Sequence, residues 1–452
     1  MRRLPSQIIE RTRNRFNQFF KATAKSSLIL LTTTIIALFW ANSAISNSYF
    51  NLWKTNLTIT LGQFTLDKSI THWVNDGLMT IFFLVIGLEI KREFMVGELS
   101  QTKDAILPVT AALGGMIIPA LFYVIFNTGS PNIKGWGIPM ATDIAFALGI
   151  LSLLGDRIPL SLKVFLTATA IVDDLGAILM IALFYTEKIA TMPLIIAGII
   201  MLVLIVANQI GIKRPTIYTV LGVALWLATL KSGLHATVAG VLLAIAIPAR
   251  SKIDPQKFIT DSLTLLESFQ NSAPPNDEIF LNQACTNAIA NLEENIAQVE
   301  PLMQKWERDL HKIAAYLIIP VFSLVNSGVN LFEVGISAVT SNIGLGIIGG
   351  LVLGKPLGIT LFALIAVKLG LASLPRGINW KHIIGSGFLA GIGFTMSIFI
   401  TDLAFESVNN IASAKIAIIT ASVISGVLGI LILRTDDRKI LYRVRNGELV
   451  RE

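Results

Sequence analysis

The run IPLSLKVFLTATAIVDDLGAILMIALFY, residues 158–185, decides the fold class of this chain. It is longer than the ~20 apolar residues that a helix needs to cross a hydrocarbon core of ~30 Å. Two adjacent acids, Asp173 and Asp174, interrupt it about midway. A charged side chain at the centre of a bilayer costs roughly 2.5–3.5 kcal/mol on insertion scales, so each acid is a functional candidate. The stretch therefore predicts a membrane-spanning helix that carries a polar site at mid-depth.

Apolar runs of similar length recur along the 452 residues. The chain is 53% hydrophobic and 14% charged, with a mean hydropathy of +0.69, whereas a soluble protein carries about 25% charged residues. We therefore predict an all-α polytopic membrane protein with twelve transmembrane helices. The spans are predicted near residues 27–45, 73–92, 105–127, 137–154, 158–185, 192–211, 215–230, 234–248, 314–328, 338–367, 381–404 and 411–433.

The distribution of basic residues predicts the orientation. With a cytoplasmic amino terminus, most of the 36 Lys and Arg residues fall in cytoplasmic segments, in agreement with the positive-inside rule. We predict a multi-pass protein of the bacterial inner membrane with both termini cytoplasmic: a basic segment 1–26, a twelve-helix domain 27–433 and a tail 434–452. The positive-inside rule accounts for the net charge of +7. We therefore expect membrane lipid, and no nucleic acid, as a partner. The single cysteine, Cys285, excludes an intrachain disulfide and a cysteine metal cluster, and no cofactor is expected.

Two stretches outside the predicted spans have patterns of their own. Residues 57–66 alternate polar and apolar around Gly62-Gln63, which indicates a periplasmic β-hairpin, with an ordinary loop as the alternative. The cytoplasmic insert 250–312, between the eighth and ninth spans, ends in a pattern that predicts an amphipathic helix kinked at Pro301. Its apolar residues recur mostly three or four apart: Leu281, Ala288, Leu292, Ile296, Val299, Met303, Trp306 and Leu310.

Asp173 and Asp174 are suited to bind either a proton or a cation. Consecutive helical residues lie about 100° apart around the axis, so the two cannot face one partner but can border one water-filled cavity. Burial and mutual repulsion favour the protonated carboxyl group, and the ionised group offers oxygen ligands to a hard cation such as Na+. Competition between proton and cation for one site is all that coupled exchange requires. The structural alternative, a pair that only holds helices together, would place two costly acids in the bilayer for hydrogen bonding alone.

Lys355 is a basic residue within the predicted tenth span. A buried ammonium group needs an acidic partner or it loses its proton, and Asp173 or Asp174 is the obvious candidate. A purely structural ion pair is the alternative reading.

The fourth and eleventh spans contain GWGIPMATD (residues 135–143) and GSGFLAGIGFTMS (residues 385–397). Glycine, proline and hydroxyl residues at mid-membrane mark places where a helix can break beside a cavity, although glycine could serve close helix packing alone. The two spans are an odd number of helices apart and therefore run in opposite directions, as an inverted repeat requires. Asp143 could offset the positive ends of the broken helices.

Taken together, these segments closely resemble the NhaA family of bacterial sodium/proton antiporters. The matching motifs follow the family order: FFLVIGLEIKRE (82–93), ATDIAFALG (141–149), IVDDLGAI (171–178), KSGLHAT (231–237), GKPLG (354–358) and GIGFTMSIF (391–399). The resemblance implies twelve helices with broken, crossed fourth and eleventh helices. It also implies electrogenic exchange of more protons than sodium or lithium ions, which would regulate internal pH and sodium.

The resemblance implies roles for individual residues as well. It assigns proton and Na+ or Li+ binding to Asp173 and Asp174, with Lys355 paired to them. It places Thr142 and Asp143 at the helix crossing. The remaining family positions are a helix-two acid, Asp76; four positions implicated in pH response, Glu89, Glu93, His235 and Glu307; and the hairpin 57–66, which matches a homodimer contact.

This chain departs from the family pattern in the segment 253–305, which is longer than the usual linker. Lys312-Ile313 stands where the best-known members have a Pro-Trp pair, so the family's pH set-point is not carried over. Asp402 has no assigned role.

Two other functional classes share features with this sequence. An intramembrane aspartyl protease needs carboxylates that face each other across two helices, which adjacent residues on one helix do not provide, so no enzyme activity is expected. A sodium-coupled solute symporter is the remaining alternative.

Overall fold

The computed structural model describes residues 25–62, 64–186, 189–250, 255–272, 282–331, 335 and 337–435. Most of the predicted basic segment 1–26 and of the predicted tail 434–452 lies outside these residues. The helices are α1 (Lys25–Ala41), α2 (Ser46–Lys54), α3 (Ile70–Val96), α4 (Thr102–Asn127), α5 (Ile144–Leu153), α6 (Leu160–Phe184), α7 (Thr191–Gln209), α8 (Pro215–Ser232), α9 (Val238–Ala246), α10 (Pro255–Ser272), α11 (Gln283–Val299), α12 (Leu302–Asn326), α13 (Ser337–Thr340), α14 (Asn342–Lys368), α15 (Trp380–Ala390), α16 (Phe394–Ala404) and α17 (Val408–Thr435). The strands are β1 (Asn56–Leu61) and β2 (Phe64–Ser69), and 3-10 turns cover Glu98–Ser100, Pro131–Met140 and Gly155–Arg157.

Eight helical segments within the described ranges are long and apolar enough to cross a membrane, by length and composition. They are α3, α4, the segment Pro131–Leu153, α6, α7, α12, α14 and α17. Two bent pairs bring the number to ten if each pair is one span: α1 with α2, bent by 111°, and α15 with α16, bent by 46°. The predicted multi-pass helical fold is therefore confirmed.

The predicted number of twelve spans depends on α8 and α9, which match the predictions at 215–230 and 234–248. α9 has only nine residues, about 14 Å at 1.5 Å per residue, which is well short of a hydrocarbon core of ~30 Å. The described helices therefore support eight to ten spans by length and composition.

The two-stranded sheet agrees with the hairpin predicted at 57–66 and is longer than predicted. β1 and β2 are antiparallel, with Asn56 opposite Ser69 and Ile59 opposite Leu66. The side chain of Asp67 accepts a hydrogen bond from the Thr58 hydroxyl across the strands at 2.7 Å. Gly62 has a φ of +61°, a left-handed conformation that glycine adopts without a steric penalty at the turn.

The insert 250–312 contains more helix than its sequence pattern predicted. α10 occupies a polar stretch that had no predicted helix, and α11 ends at Val299 before α12 begins at Leu302. Pro301 precedes the first residue of α12 in an extended conformation, so the predicted kink is a break between two helices. A proline there fits, since it disfavours helical geometry at the residue before it. From Leu302 the chain stays helical to Asn326 and enters the predicted ninth span without interruption.

Helices α4 and α14 pack closely against each other through two glycine residues. A Cβ atom on Gly114 would overlap the carbonyl oxygen of Gly358, and one on Gly358 would overlap the carbonyl oxygen of Gly114. The two backbones therefore touch because neither residue has a side chain. Lys355 lies one turn before Gly358 on α14. The contact between the two glycines therefore also sets how far the Lys355 side chain reaches towards α6.

We expect Gly358→Ala to destabilise the protein, because its methyl group would force two helix backbones apart. Overpacking of this kind costs about 1–3 kcal/mol. The measurement is the thermal unfolding midpoint of the purified chain in detergent. Gly198→Ala on α7 is the matched control, since a Cβ there meets nothing within 4 Å and alanine is the better helix former. Equal midpoints for the two variants would show that α4 and α14 are not in close contact.

Candidate functional site

The two predicted helix breaks are present, and they touch each other. Between the 3-10 turn Pro131–Met140 and α5, residues 141–143 are not helical. Between α15 and α16 the chain breaks at residues 391–393. The backbone N–H of Asp143 donates to the Ile392 carbonyl at 2.6 Å, and the Ser397 hydroxyl donates to the Ile138 carbonyl at 2.7 Å. The breaks satisfy each other's backbone groups, which a membrane interior otherwise leaves without partners.

Asp143 joins the amino-terminal ends of both broken segments. Its carboxylate accepts from the Phe146 backbone N–H at 3.1 Å in the first turn of α5. It also accepts from the Thr395 backbone N–H at 3.1 Å and from the Thr395 hydroxyl at 2.5 Å in the first turn of α16. Helix amino termini carry a partial positive charge. The predicted compensation of two dipole ends by one carboxylate thus matches the observed contacts.

Asp173 is held by a cation and a hydroxyl group. The Lys355 ammonium nitrogen lies 2.6 Å from Asp173 Oδ2, and both side chains are fully buried. The Thr142 hydroxyl lies 2.8 Å from the same oxygen and 2.9 Å from the Ala390 carbonyl. Lys355 also donates to the Met140 carbonyl, at the end of the 3-10 turn. Of the two aspartates that the sequence offered as partners for Lys355, the structure therefore selects Asp173.

Both aspartates keep one buried oxygen without a hydrogen-bond partner. Asp173 Oδ1 and Asp174 Oδ1 are inaccessible to solvent, and neither accepts a hydrogen bond from any described residue. An unpaired buried acceptor is rare because it forfeits the energy of a hydrogen bond. A proton or a small hard cation bound there would satisfy these oxygens. The described residues contain no group of three or more His, Cys, Asp or Glu side chains that could hold a metal ion, so a cation ligated by these two aspartates would draw its further ligands from neutral oxygens.

The hydrogen bonds of Asp76 are with groups outside this central cluster. Asp76 belongs to a π-helical turn, Trp73–Leu78, at the start of α3, and its backbone carbonyl accepts from the Trp226 indole at 2.9 Å. Wide turns of this kind are frequent at functional sites. In the described part of the chain, no hydrogen bond joins the Asp76 side chain to Asp173 or Asp174.

Three of the four residues that the resemblance linked to pH response converge on Arg92. The guanidinium group contacts Glu307, lies 2.9 Å from Glu93 and lies 3.8 Å from Glu89. The fourth, His235, is elsewhere: its Nε2 atom lies 2.6 Å from the Tyr185 carbonyl. Arg92 itself had no predicted role, because nothing in sequence shows that α12 returns against the end of α3.

The structure gives Asp402 partners that sequence reasoning did not find. The Lys415 ammonium lies 3.0 Å from Asp402 Oδ1. The Asn75 amide lies 3.4 Å from Asp402 Oδ2 and also hydrogen-bonds with Asn326. Helices α3, α12, α16 and α17 are thus joined by one polar network. The available signal was the presence of Asn75 beside Asp76 and of Lys415 within an otherwise apolar helix.

We expect Lys415→Met to destabilise the protein by leaving Asp402 without its cation. The two side chains are 11% and 16% exposed, and an unsatisfied buried group costs about 1–3 kcal/mol or more when charged. The thermal unfolding midpoint in detergent measures the loss. Lys134→Met, at an exposed position, is the control for loss of one positive charge. Melting at the same temperature as the control would mean that the ion pair contributes nothing.

The chain is similar to known proteins over almost its whole length. The family described as Na+/H+ antiporter 1 matches residues 17–433. The Na(+)/H(+) antiporter NhaA of Oleidesulfovibrio alaskensis is 46% identical over 433 residues, with 96% of this chain and 95% of that protein covered. The corresponding antiporter of Sulfurimonas denitrificans is 45% identical with 93% and 95% covered, and Na(+)/H(+) antiporter NhaA 1 of Clostridium beijerinckii is 43% identical with 95% and 98% covered. All three relatives are named as transporters.

Proposed function

Because this chain belongs to the Na+/H+ antiporter 1 family, we propose that it exchanges Na+ or Li+ for protons across the bacterial inner membrane by competition at Asp173 and Asp174. Membership confirms the resemblance to the NhaA family. The relatives' names do not support the alternative of a solute symporter. The observation that carries the site assignment is the pair of buried carboxylate oxygens without partners, Asp173 Oδ1 and Asp174 Oδ1.

The exchange follows from what these oxygens can bind. When both carboxylates are ionised, they offer charged oxygens to one cation. When the cation leaves, each carboxylate binds a proton, since burial and mutual repulsion disfavour two bare negative charges. Two protons then replace one monovalent cation, and each cycle moves one net charge. Electrogenic exchange is the consequence.

Thr142 and Lys355 allow Asp173 to change its protonation state. The Thr142 hydroxyl has one proton and two acceptors within reach, Asp173 Oδ2 and the Ala390 carbonyl. It donates to the ionised carboxylate, whereas a protonated Asp173 donates to Thr142, which then donates to Ala390. Lys355 keeps a second acceptor, the Met140 carbonyl, when Asp173 is neutral. Neither state therefore leaves these neighbours without partners.

Alternating access, in this proposal, uses a twelve-helix inverted repeat in which the broken fourth and eleventh helices cross. The contacts between residues 138–143 and residues 390–397 support it. Broken helices place backbone dipole ends at the ion site, and one repeat can move against the other around that site. Asp143 stabilises both positive ends throughout the cycle.

The Arg92 network is proposed to tune activity at the cytoplasmic mouth. Glu89, Glu93 and Glu307 share one guanidinium group, and Glu307 is the acid that joins α12 to α3, so loss of its charge would weaken the contact between these two helices. His235 contributes separately, through its bond to Tyr185. The insert before α12 is longer in this chain than the usual linker of the family. The pH at which the Arg92 network responds is therefore proposed to differ from that of family members with a short linker.

We propose that two copies form a homodimer through β1 and β2. Leu57 and Ile59 are 52% and 49% exposed, and a two-stranded sheet of this size is marginal unless another surface covers it. Deleting residues 57–66 is expected to halve the protein mass measured in detergent by light scattering. Thr58→Val, which removes a cross-strand hydrogen bond and keeps the backbone, is the control. An unchanged mass for the deletion would place the dimer contact elsewhere.

The proposed function is tested with the purified chain in liposomes that contain a pH-sensitive dye. We expect NaCl and LiCl, but not KCl, to drive proton movement. If exchange is electrogenic, clamping the membrane potential with K+ and valinomycin accelerates the response. A sodium response that is identical with and without the clamp contradicts electrogenic exchange. No response to Na+ or Li+ at any pH, from protein shown to be folded, contradicts the transport function.

A further inference from the structure

The cytoplasmic insert forms a helical hairpin of α10 and α11. The two helices pack along each other, and the Cys285 thiol at the start of α11 lies 3.7 Å from the Phe269 carbonyl near the end of α10. The helices are therefore antiparallel. Cys285 and Ala288 are buried between them. Two helices have only one shared interface, so each also has faces that nothing in the pair covers.

One face of this hairpin is apolar and exposed. On α10, Ile259, Leu263 and Leu266 are 50%, 56% and 51% exposed, at a spacing that places them on one side of a helix. On α11, Ile289 and Ile296 are likewise exposed and lie two turns apart. In each helix, these exposed apolar residues come one position after residues that face the other helix. One position along a helix corresponds to a rotation of about 100° around its axis. Because the helices are right-handed and antiparallel, both sets point to the same side, which we call the hairpin face.

The hairpin face is acidic as well as apolar. Glu267 follows Leu266, and Glu293 lies between Ile289 and Ile296 on the same side of α11. Lys257, the basic residue of α10, lies on a different side by the same helical geometry. Anionic lipid headgroups attract basic segments, so this face is poorly suited to lie on the inner leaflet. It suits a segment that is apolar and basic.

The chain's own amino-terminal segment, residues 1–24, has that chemistry. It contains six basic residues and one acid, with seven large apolar side chains among them. The basic residues are Arg2, Arg3, Arg11, Arg13, Arg15 and Lys21, and the apolar ones are Met1, Leu4, Ile8, Ile9, Phe16, Phe19 and Phe20. We propose that this segment docks on the hairpin face of the same chain, with its aromatic and aliphatic side chains against the five exposed residues and its arginines beside Glu267 and Glu293.

Topology and length permit this contact. In the proposed topology, eight spans separate residue 25 from the insert, and an even number of crossings returns the chain to the same side of the membrane. A segment of 24 residues reaches up to about 80 Å at ~3.3–3.6 Å per residue. The hairpin continues through residues 300–301 into α12, whose residue Glu307 contacts Arg92. Docking would therefore link the amino terminus mechanically to the Arg92 network.

Cross-linking in membranes tests the contact. In full-length protein with Cys285→Ala, Phe16→Cys is combined either with Leu263→Cys on the hairpin face or with Asn291→Cys on the opposite side. A bismaleimide links the pair, and mass spectrometry of the digested single chain measures the yield. We expect the Phe16–Leu263 yield to exceed the Phe16–Asn291 yield by about tenfold or more, because docking raises the effective concentration of the two thiols.

Charge variants and isotope labelling complete the test. Glu267→Gln with Glu293→Gln should lower the Phe16–Leu263 yield, while Ser268→Lys with Asn291→Lys, which adds the same charge on the opposite side, should leave it unchanged. Equal yields for the Leu263 and Asn291 positions overturn the proposal. So does labelling of residues 1–24 by a membrane-soluble photoreagent without cross-linking to Leu263. Links that join ¹⁵N-labelled to unlabelled chains in a mixed sample would assign the face to a second copy, which also overturns intramolecular docking.

Discussion

Asp173→Asn and Asp174→Asn are each expected to abolish sodium-driven proton movement in liposomes. Asparagine keeps the shape of the side chain but can neither release a proton nor offer a charged oxygen. Removing one charge from a buried, hydrogen-bonded site costs about 2–5 kcal/mol, which corresponds to a loss of at least about thirtyfold at 1.36 kcal/mol per factor of ten. The initial rate of the dye response to NaCl, per amount of reconstituted protein, gives the comparison.

The matched control is Asp104→Asn, which removes one carboxylate at an exposed position near the start of α4. It should transport at the rate of the unmodified chain. The size-exclusion profiles of all three variants must match that of the unmodified chain. A loss of transport can then be attributed to the site and not to misfolding. Sodium-driven exchange by Asp174→Asn at the rate of Asp104→Asn would remove Asp174 from the site.

Lys355→Met is expected to cause the largest loss of stability of any single substitution considered. The ammonium group and Asp173 are both fully buried and lie 2.6 Å apart. Breaking a buried pair by removing one partner costs about 3–5 kcal/mol, because the other charge is left uncompensated. Thermal unfolding of the purified protein in detergent measures this, and the midpoint should fall by several times the shift seen with Lys134→Met.

The double variant Asp173→Asn with Lys355→Met separates charge from packing. If the loss arises from an unpaired carboxylate, the double variant should be more stable than Lys355→Met alone, since no buried charge is left. If the two single losses simply add, Lys355 stabilises the protein through its aliphatic stem and its bond to Met140. This outcome would contradict the assignment of Lys355 as the charge partner of Asp173.

The candidate site could be predicted to a large extent because each of its parts has a local signature. The apolar runs contain two adjacent acids, a lysine, and clusters of Gly, Pro and Thr at mid-span. Each of these is costly in a bilayer whatever the packing of the helices, so each can be recognised within its own segment. The hairpin was predictable for the same reason, since alternation around Gly62-Gln63 is a short-range pattern. The contact of Glu307 with Arg92 was not predictable, because it joins segments 215 residues apart.

The local sequence pattern also failed to predict all the helices of the insert 250–312. The sequence predicted one amphipathic helix kinked at Pro301, whereas the structure has a pair of helices and a break before Leu302. α10 was not predicted because its stretch begins with polar residues, although Ile259, Leu263 and Leu266 recur within it at helical spacing. Its packing against α11 is not visible in either segment alone.

The sequence by itself determined that this protein is a multi-pass helical membrane protein of the sodium/proton antiporter family, and it singled out Asp173, Asp174, Asp143 and Lys355. Hydrophobic length and the cost of buried charge act on each segment independently, so they can be read along the chain. Only the tertiary structure decided that Lys355 bonds to Asp173 and not to its neighbour, that Asp143 caps two helices at once, and that Asp402 meets Lys415. These pairings depend on how closely and at what rotation distant helices pack. Contacts such as that between Gly114 and Gly358 set this packing, and no single segment contains it.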